Sequence, residues 1–437
     1  MEKIDQIIGE MVPLGEELMQ AARDGHLCIQ KECSEGVALN GDEPRFEGTV
    51  GRFQDLLYLQ KNWVLEQRVV SNFLRLFGSA VDRIKTPLVP ELNMRQQQAL
   101  EIALSESVVC VTGGPGTGKS YLISKVIESY GEDVCVSAPT GKAVGLLREK
   151  LNVKVETLHK LLAIRFTEDL LYGEGELDYG MVIVDECSMI DVAMWGALLS
   201  RIKRGCRLIL VGDEDQLPPV EAGTVFGELC YFLKNKGKGY VRLDECMRSD
   251  RKDILEKAAA VRSGHPIPYG PLKMDAEGWK KGGYQILSCL NQGPFGVQAV
   301  NDLMQGGESL PIMVTRTLPR LDLRNGDLGL LKKKCPGKEI GKEDTILIKE
   351  RELPALLVQH FEPAYCLSVH KSQGSEFDKV VLLVPKGSEK FGREILYTGI
   401  TRAREELILL SERGVIESIV TKRTRRLSGI ERKLCVF

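Results

Sequence analysis

Short runs of apolar and β-branched residues alternate with amphipathic stretches through the middle of the chain. The first predicted strands are Val108–Val111, Val134–Val136, Met181–Val184 and Leu208–Val211. Helical patterns start at Lys119 and Gly141, shortly after the first two of these strands. Because strands that alternate with helices form parallel sheets covered on both faces, the pattern predicts an α/β lobe. A second α/β lobe is predicted by the apolar runs at Ile312–Val314, Val380–Val384 and Leu407–Leu410.

The remaining segments differ in pattern from these two lobes. An amphipathic start and a helical stretch from Trp63 to Phe77 precede a proline-containing linker, and predict a small accessory domain. Turn residues at Asn325–Asp327 and a short strand at Thr345–Ile348 interrupt the second lobe and predict a β insertion over Leu318–Phe361. We therefore expect an accessory domain over residues 1–88, a first lobe over 89–240 and a second lobe over 241–437.

Composition and charge exclude several classes of protein. With 437 residues, 43% apolar and 27% charged, the chain has the balance of a globular protein with more than one core. The net charge of −2 means that any nucleic-acid binding depends on local basic patches. The apolar runs are too short to span a bilayer, and the start lacks the plan of a signal peptide, so we expect a soluble, cytoplasmic protein. The twelve scattered cysteines include no Cys-x-x-Cys, which favours reduced thiols without a metal.

A glycine-rich segment follows the first predicted strand and leads into a helix. It matches G-x-x-x-x-G-K-S in the strand-to-helix context that the phosphate-binding P-loop requires. Backbone N–H groups and the helix N-terminus would bind phosphate oxygens, the lysine would bridge the β- and γ-phosphates, and the serine hydroxyl would ligate Mg²⁺. The residues of this predicted ATP site are Gly113, Gly114, Pro115, Gly116, Thr117, Gly118, Lys119 and Ser120.

Two consecutive acids end the third predicted strand, as a P-loop enzyme needs. Asp185 would hold Mg²⁺ through its hydration shell, and Glu186 would orient or deprotonate the attacking water. Side chains alternate along a strand, so neighbouring acids can serve different purposes. Together with the P-loop, this pair predicts an NTPase.

Two further segments indicate what the hydrolysis drives. Gln216 lies just past the fourth strand, where it can sense the γ-phosphate, and no Asn-Lys-x-Asp segment of the GTP-binding type occurs. Ala138–Ala143 offers a hydroxyl, backbone amides and a lysine, which are suited to gripping a phosphate backbone.

From Leu92 to Ser411 the chain resembles superfamily 1 DNA helicases, specifically their RecD-type 5′→3′ group. The resemblance implies two RecA-like P-loop motor lobes, ATP and Mg²⁺ as ligands, and an SH3-like β insertion along the exit path of the DNA strand. Cys187 stands where this family usually has Ala, and we expect no consequence because both are small. Beyond the P-loop, the segments that carry the resemblance, in family order, are Gln96–Ala99, Ala138–Ala143, Thr157–Leu162, Asp185–Met189, Gly212–Pro219, Arg248, Val369–Phe377 and Tyr397–Arg404.

The resemblance also implies roles for single residues. Gln96 would contact adenine, Glu376 would accept a hydrogen bond from the ribose, and Arg248 and Arg402 would reach the γ-phosphate from the second lobe. The residues implied to face single-stranded DNA are Thr140, His159, His370 and Lys371. Segments 25–29 and 57–66 resemble the accessory domain of RecD-type helicases that work with two larger subunits in an exodeoxyribonuclease complex.

Three readings of the motifs stay open. The first is an ATP-driven DNA helicase, either within such a complex or alone. The second is a structural ATPase, which the complete set of motif residues disfavours, and the third is an RNA helicase. No nuclease site is expected, because the acidic clusters Glu174–Asp178 and Glu350–Glu352 lack partner carboxylates and are better explained as solvated loops.

Overall fold

The computed structural model describes residues 14–31, 50–173, 175–246, 252–304, 309–334, 339–424 and 426–436. The chain divides into two compact units, and each has its own apolar core. The first unit takes Met1–Glu214, Pro218–Met247 and Arg425–Phe437. The second takes Asp215–Leu217 and Arg248–Thr424.

The first unit opens with a small accessory region. Three antiparallel strands form a sheet in the order β1-β3-β2. A long helix follows β3 directly in the chain. The helix matches the expected stretch from Trp63 to Phe77 and extends it toward the N-terminus by three residues. The elements are α1 (Gly15–Arg23), β1 (Cys28–Gln30), β2 (Val50–Phe53), β3 (Leu56–Leu59) and α2 (Gln60–Phe77).

The main sheet of the first unit has six parallel strands in the order β6-β5-β7-β8-β4-β9. The strands are β4 (Val108–Gly113), β5 (Val134–Ala138), β6 (Lys154–Thr157), β7 (Met181–Val184), β8 (Arg207–Gly212) and β9 (Tyr240–Leu243). The helices are α3 (Met94–Ser105), α4 (Lys119–Tyr130), α5 (Gly141–Arg148), α6 (Leu158–Leu161), α7 (Asp169–Tyr172), α8 (Val192–Arg201) and α9 (Val225–Lys236).

Both faces of this sheet are buried, as its continuous apolar strands predict. In β4, Val108 and Cys110 belong to the core on one face, and Val109 and Val111 belong to the core on the other. Side chains alternate between the faces of a strand, so one apolar run supplies both cores. The expected α/β fold of the first lobe is confirmed.

The second unit contains a parallel sheet in the order β10-β19-β18-β11-β17. Its strands are β10 (Gly270–Pro271), β11 (Gln285–Ser288), β17 (Cys366–Ser368), β18 (Phe377–Val384) and β19 (Ala403–Ser411). Its helices are α10 (Lys252–Arg262), α11 (Ala276–Lys281), α12 (Val297–Met304), α13 (Arg393–Ile400) and α14 (Val415–Val420). The expected second α/β lobe is therefore present.

A separate antiparallel sheet of five strands forms the expected β insertion, in the order β15-β14-β13-β12-β16. Its strands are β12 (Ser309–Val314), β13 (Leu328–Lys332), β14 (Thr345–Ile348), β15 (Arg351–Pro354) and β16 (Phe361–Pro363). The assignment of Ile312–Val314 to the parallel sheet of the second lobe was wrong. This run pairs antiparallel with β13 and β16, and a short apolar run does not reveal which sheet it joins.

The carboxyl-terminal helix α15 (Ile430–Val436) packs against α2 and α9 of the first unit. Ile430 and Leu434, four residues apart on one face, are buried in the core of that unit. The expected bounds 241–437 of the second lobe are therefore wrong at both ends. The carboxyl-terminal helix belongs to the first unit, and β9 continues to Leu243 in the sheet of the first unit. In the described part of the chain, no helix is long and apolar enough to cross a membrane.

Candidate nucleotide and nucleic-acid site

The P-loop connects the end of β4 to the start of α4. Gly116 and Gly118 have φ angles of 77° and 82°, which favour glycine because a side chain there is strained. A Cβ at Gly113 would lie 2.8 Å from the carbonyl oxygen of Leu243 in β9. The glycines are thus required by a tight turn and by close packing of the loop on the neighbouring strand.

Gln96 holds the P-loop from the first turn of α3. Its side chain is 1% exposed, Oε1 accepts from the Asn93 backbone N–H at 3.1 Å, and Nε2 donates to the Thr117 carbonyl at 3.1 Å. The Asn93 side chain in turn accepts from the Gln96 backbone N–H, which completes a capping box. Sequence reasoning missed this role, although the spacing of Asn93 and Gln96 is the capping-box signal. Adenine contact by Gln96 stays a prediction.

The Lys119 ammonium lies inside the loop. Nζ donates to the carbonyls of Gly113 at 2.6 Å and Gly114 at 3.0 Å. An ammonium has three donors and needs negatively polarised oxygens around it, which phosphate groups also provide. Ser120 follows Lys119 in the first turn of α4.

Asp185 and Glu186 follow β7 at the same edge of the sheet as the P-loop. Burial raises the pKa of the Asp185 carboxyl, and the Lys119 ammonium and the Glu186 backbone N–H oppose this shift. That N–H donates to Asp185 Oδ1 at 2.8 Å. Glu186 itself has φ 55° and ψ 40°, a left-handed conformation that is uncommon outside glycine. Such strain clusters at functional sites, and here it lies at the second of the two acids, directly before a 3-10 turn over Cys187–Met189.

The segment after β8 is shared between the two units. Gln216 is buried and belongs, with Leu217, to the second unit. The Leu217 backbone N–H donates to Thr398 Oγ1 at 2.9 Å, and Gln373 Nε2 donates to the Leu217 carbonyl at 3.1 Å. A residue of the predicted nucleotide site is therefore carried by the lobe that lacks the P-loop.

Arg402 is 4% exposed in the second unit. Its Nε donates to the Thr398 carbonyl and Nη1 to the Ser375 carbonyl, both at 3.0 Å, and Nη2 donates to Thr401 Oγ1 at 3.2 Å. The guanidinium thus fixes the segment before β18 in this conformation, and its role at the γ-phosphate stays a prediction. Arg248 lies outside the described residues.

Glu376 and the predicted DNA-facing residues of the second unit lie around β17 and β18. Glu376 Oε2 accepts from Arg404 Nε at 3.1 Å. The half-exposed Lys371 pairs with Glu362 at 2.6 Å, and the His370 ring packs edge-on against Phe391 with a centroid distance of 5.3 Å. Lys371 is thus paired with an acidic neighbour, and His370 is packed against an aromatic one.

Thr140 and His159 sit on short helices of the first unit. Thr140 caps α5, and its Oγ1 accepts from the Ala143 backbone N–H at 3.3 Å. His159 is exposed on α6, which Thr157 caps in the same way. Capped helix N-termini next to an exposed imidazole suit contacts with phosphates.

The chain matches known helicases in sequence and fold. A model described as an AAA domain matches residues 91–279, and one described as a UvrD-like helicase C-terminal domain matches residues 363–410. RecBCD enzyme subunit RecD of Mycolicibacterium smegmatis is 27% identical over 87% of this chain and 83% of its own length. The Haemophilus influenzae RecD subunit is 25% identical over 86% of this chain and 80% of its own.

Two further matches cover less of this chain. ATP-dependent RecD2 DNA helicase of Deinococcus radiodurans is 28% identical over 72% of this chain and 48% of its own length. A Pif1 helicase, in a structure of two coordinating Pif1 helicases at forked double-stranded DNA, superimposes with a TM-score of 0.50 at 18% identity. That match covers 74% of this chain and 92% of the Pif1 chain, and it shows the fold.

The two α/β lobes, one of them with a complete P-loop and an Asp-Glu pair, thus make the chain similar to P-loop helicases. The similarity to RecD subunits runs along most of both chains.

Proposed function

We propose that the chain is an ATP-dependent 5′→3′ DNA helicase that works in the cytoplasm as the RecD subunit of an exodeoxyribonuclease V complex. Its partners would be RecB- and RecC-like subunits, and its process would be double-strand break repair and recombination. The observation that carries the proposal is the formed P-loop beside the buried Asp185, with matches to RecD subunits along more than four-fifths of the chain.

The donor set fits a magnesium ion that would be held together with the nucleotide. Mg²⁺ commonly takes one or two protein oxygens and completes its shell with water and phosphate. Ser120 and Asp185 supply such oxygens, and a cation would stabilise the ionised form of a carboxyl whose pKa burial raises. In the described part of the chain, no group of three or more His, Cys, Asp or Glu side chains could hold a metal ion. When bound, Mg²⁺ neutralises charge on the β- and γ-phosphates.

The residues of this chain divide the remaining chemistry. The Lys119 ammonium exchanges its two carbonyl partners for phosphate oxygens, and Glu186 orients the attacking water and accepts its proton. Gln216 and Arg402 belong to the unit without the P-loop, and together with Arg248 they would make hydrolysis depend on residues of both lobes. The DNA strand would be bound by Thr140, His159, His370 and Lys371 through phosphate and stacking contacts that tolerate any sequence.

DNA-stimulated ATP hydrolysis by the purified chain tests the proposed activity. We expect phosphate release to rise strongly when single-stranded DNA is added at saturating ATP. A rate that DNA leaves unchanged would favour a structural ATPase, and stimulation by RNA alone would favour an RNA helicase.

Co-purification tests the proposed assembly. We expect two large subunits to co-purify with the tagged chain from its native cells and to elute with it as one complex. A chain that elutes alone and unwinds DNA at full rate would be a stand-alone RecD-like helicase.

A further inference from the structure

The carboxylate of Glu214 spans the strand that carries the P-loop. Glu214 follows β8, whereas its partners belong to β9, and β4 lies between these two strands. Glu214 Oε1 accepts from the Tyr240 hydroxyl at 3.0 Å and from Arg242 Nη1 at 2.7 Å. Arg242 also donates through Nε to Asp244 at 3.0 Å. These contacts join the carboxyl ends of β8 and β9 across β4.

The segments that follow β8 and β9 are also bonded to the P-loop or to the residue before it. The Glu214 backbone N–H donates to Oγ1 of Thr112, the buried residue that directly precedes Gly113. Beyond β9, the Cys246 thiol lies 3.8 Å from the Pro115 carbonyl as a hydrogen-bond donor. A displacement of the P-loop would therefore also displace the ends of β8 and β9.

Both strand ends are places where the chain leaves the first unit. Glu214 is the last residue of the first unit before Asp215–Leu217, which belong to the second. Leu217 is 2% exposed in the core of the second unit, so this short segment is firmly held there. Cys246 is the last described residue of the first unit before the chain passes to the second unit again.

We propose that Glu214, Arg242 and Tyr240 form a positioning clamp that couples the nucleotide state of the P-loop to the movement of the second lobe. None of the three residues is placed at the phosphates. They act by keeping the two connecting segments fixed to the P-loop strand. A conformational change at Gly113–Ser120 then moves these segments instead of being absorbed by flexible loops. This inference rests on the proposed helicase function and adds the residues that link hydrolysis to strand separation.

The clamp has the physical properties of a stable link. The Glu214 and Arg242 side chains are 22% and 25% exposed, so their attraction is less screened than that of a surface pair. Burial and the neighbouring Glu214 raise the pKa of Tyr240, which keeps its hydroxyl a donor at any working pH. A carboxylate with two donors, one of them charged, is held more tightly than one in a single exposed ion pair.

The test is the number of ATP molecules hydrolysed per base pair unwound. Arg242→Ala and Glu214→Gln should keep DNA-stimulated hydrolysis near the parent rate but raise this ratio by about 5-fold or more, the low end of typical coupling between linked sites. Tyr240→Phe removes one hydrogen bond and should raise the ratio less. Arg242→Lys keeps the charge but cannot bind Glu214 and Asp244 together, so it should restore part of the coupling.

Lys238→Ala is the matched control. Lys238 pairs with Glu106 at 2.9 Å, and these residues precede β9 and β4, so the control pair links strands of the same sheet at the opposite edge. Its removal should leave the ratio at the parent value. The inference fails if the ratio is unchanged in Arg242→Ala and Glu214→Gln, if Lys238→Ala raises it equally, or if hydrolysis and unwinding fall together in Tyr240→Phe. Unwinding by the parent chain, measured alongside, separates such a failure from a failure of the proposed function.

Discussion

Replacement of Lys433 by Met is expected to destabilise the first unit severely. The Lys433 side chain is 2% exposed, and its Nζ lies 2.8 Å from Oε1 of the fully buried Glu66. Glu66 also accepts from the Tyr58 hydroxyl and from the Gly429 backbone N–H, both at 3.0 Å. The Lys433 ammonium lies 3.7 Å from the centroid of the Trp63 ring. This buried ion pair therefore links α15 to the helix α2, and the Trp63 ring lies against its ammonium group.

The expected loss in the free energy of unfolding follows from the Glu66 charge that remains buried. Lys433→Met retains most of the side-chain volume but leaves the Glu66 carboxylate buried without a cation, which costs about 3–5 kcal/mol in comparable pairs. Loss of the cation–π contact with Trp63 acts in the same direction, by up to about 2 kcal/mol. When Glu66→Gln is added, no buried charge remains, and the double variant should recover most of the loss.

The free energy of unfolding of the first unit is measured in a Trp279→Phe background by urea unfolding, which tryptophan fluorescence follows. Trp63 and Trp195 then report the first unit alone, because Trp279 is the tryptophan of the second. Lys31→Met is the control, since Lys31 forms an exposed pair with Glu17 and its loss should cost at most about 1 kcal/mol. A loss for Lys433→Met below about 1 kcal/mol, or a double variant less stable than the single one, would refute the reasoning.

Three further outcomes are expected. Lys119→Gln should abolish ATP hydrolysis and leave the melting temperature near the parent value, because it removes a charge at the phosphates and no core atoms; turnover near the parent rate would contradict the site. Burial raises the pKa of Glu228 from 4.5 to about 7, so between these pH values the folded state binds a proton that the unfolded state releases. Stability should therefore fall as pH rises through that window, and Glu228→Gln should gain at most about 3 kcal/mol over the parent at about pH 8 and nothing near pH 4. The purified chain should not degrade end-labelled linear DNA with Mg²⁺ and ATP, and degradation that persists in Lys119→Gln and follows the polypeptide through every column would reveal a nuclease site.

Local patterns predicted the parts of the fold that depend on neighbouring residues. The strand that leads to Gly113, the helix from Lys119 and the strand Met181–Val184 were predicted correctly, because strand, loop and helix signals lie within short segments. Ile312–Val314 was misplaced, since its pattern shows burial but not the sheet that buries it. The position of α15 on the first unit depends on partners more than 300 residues away.

Side-chain partners were the hardest features to predict. Nothing in the pattern around Arg402 indicates that its guanidinium lies on the carbonyls of Thr398 and Ser375. The clamp at Glu214 was missed because its arginine and tyrosine follow more than 20 residues later, on a strand that becomes a neighbour only through the order of the sheet. Motif residues indicate a chemistry, whereas the contacts that orient them emerge only from the folded chain.

Strand separation on tailed duplexes tests the central claim most directly. Partial duplexes that carry either a 5′ or a 3′ single-stranded tail are incubated with the chain and ATP, and Lys119→Gln serves as the control for ATP dependence. An ATP-driven 5′→3′ helicase should separate the 5′-tailed duplex, leave the 3′-tailed duplex largely intact, and do neither in the variant. Preferential separation of the 3′-tailed duplex, or equal separation by Lys119→Gln, would contradict the account.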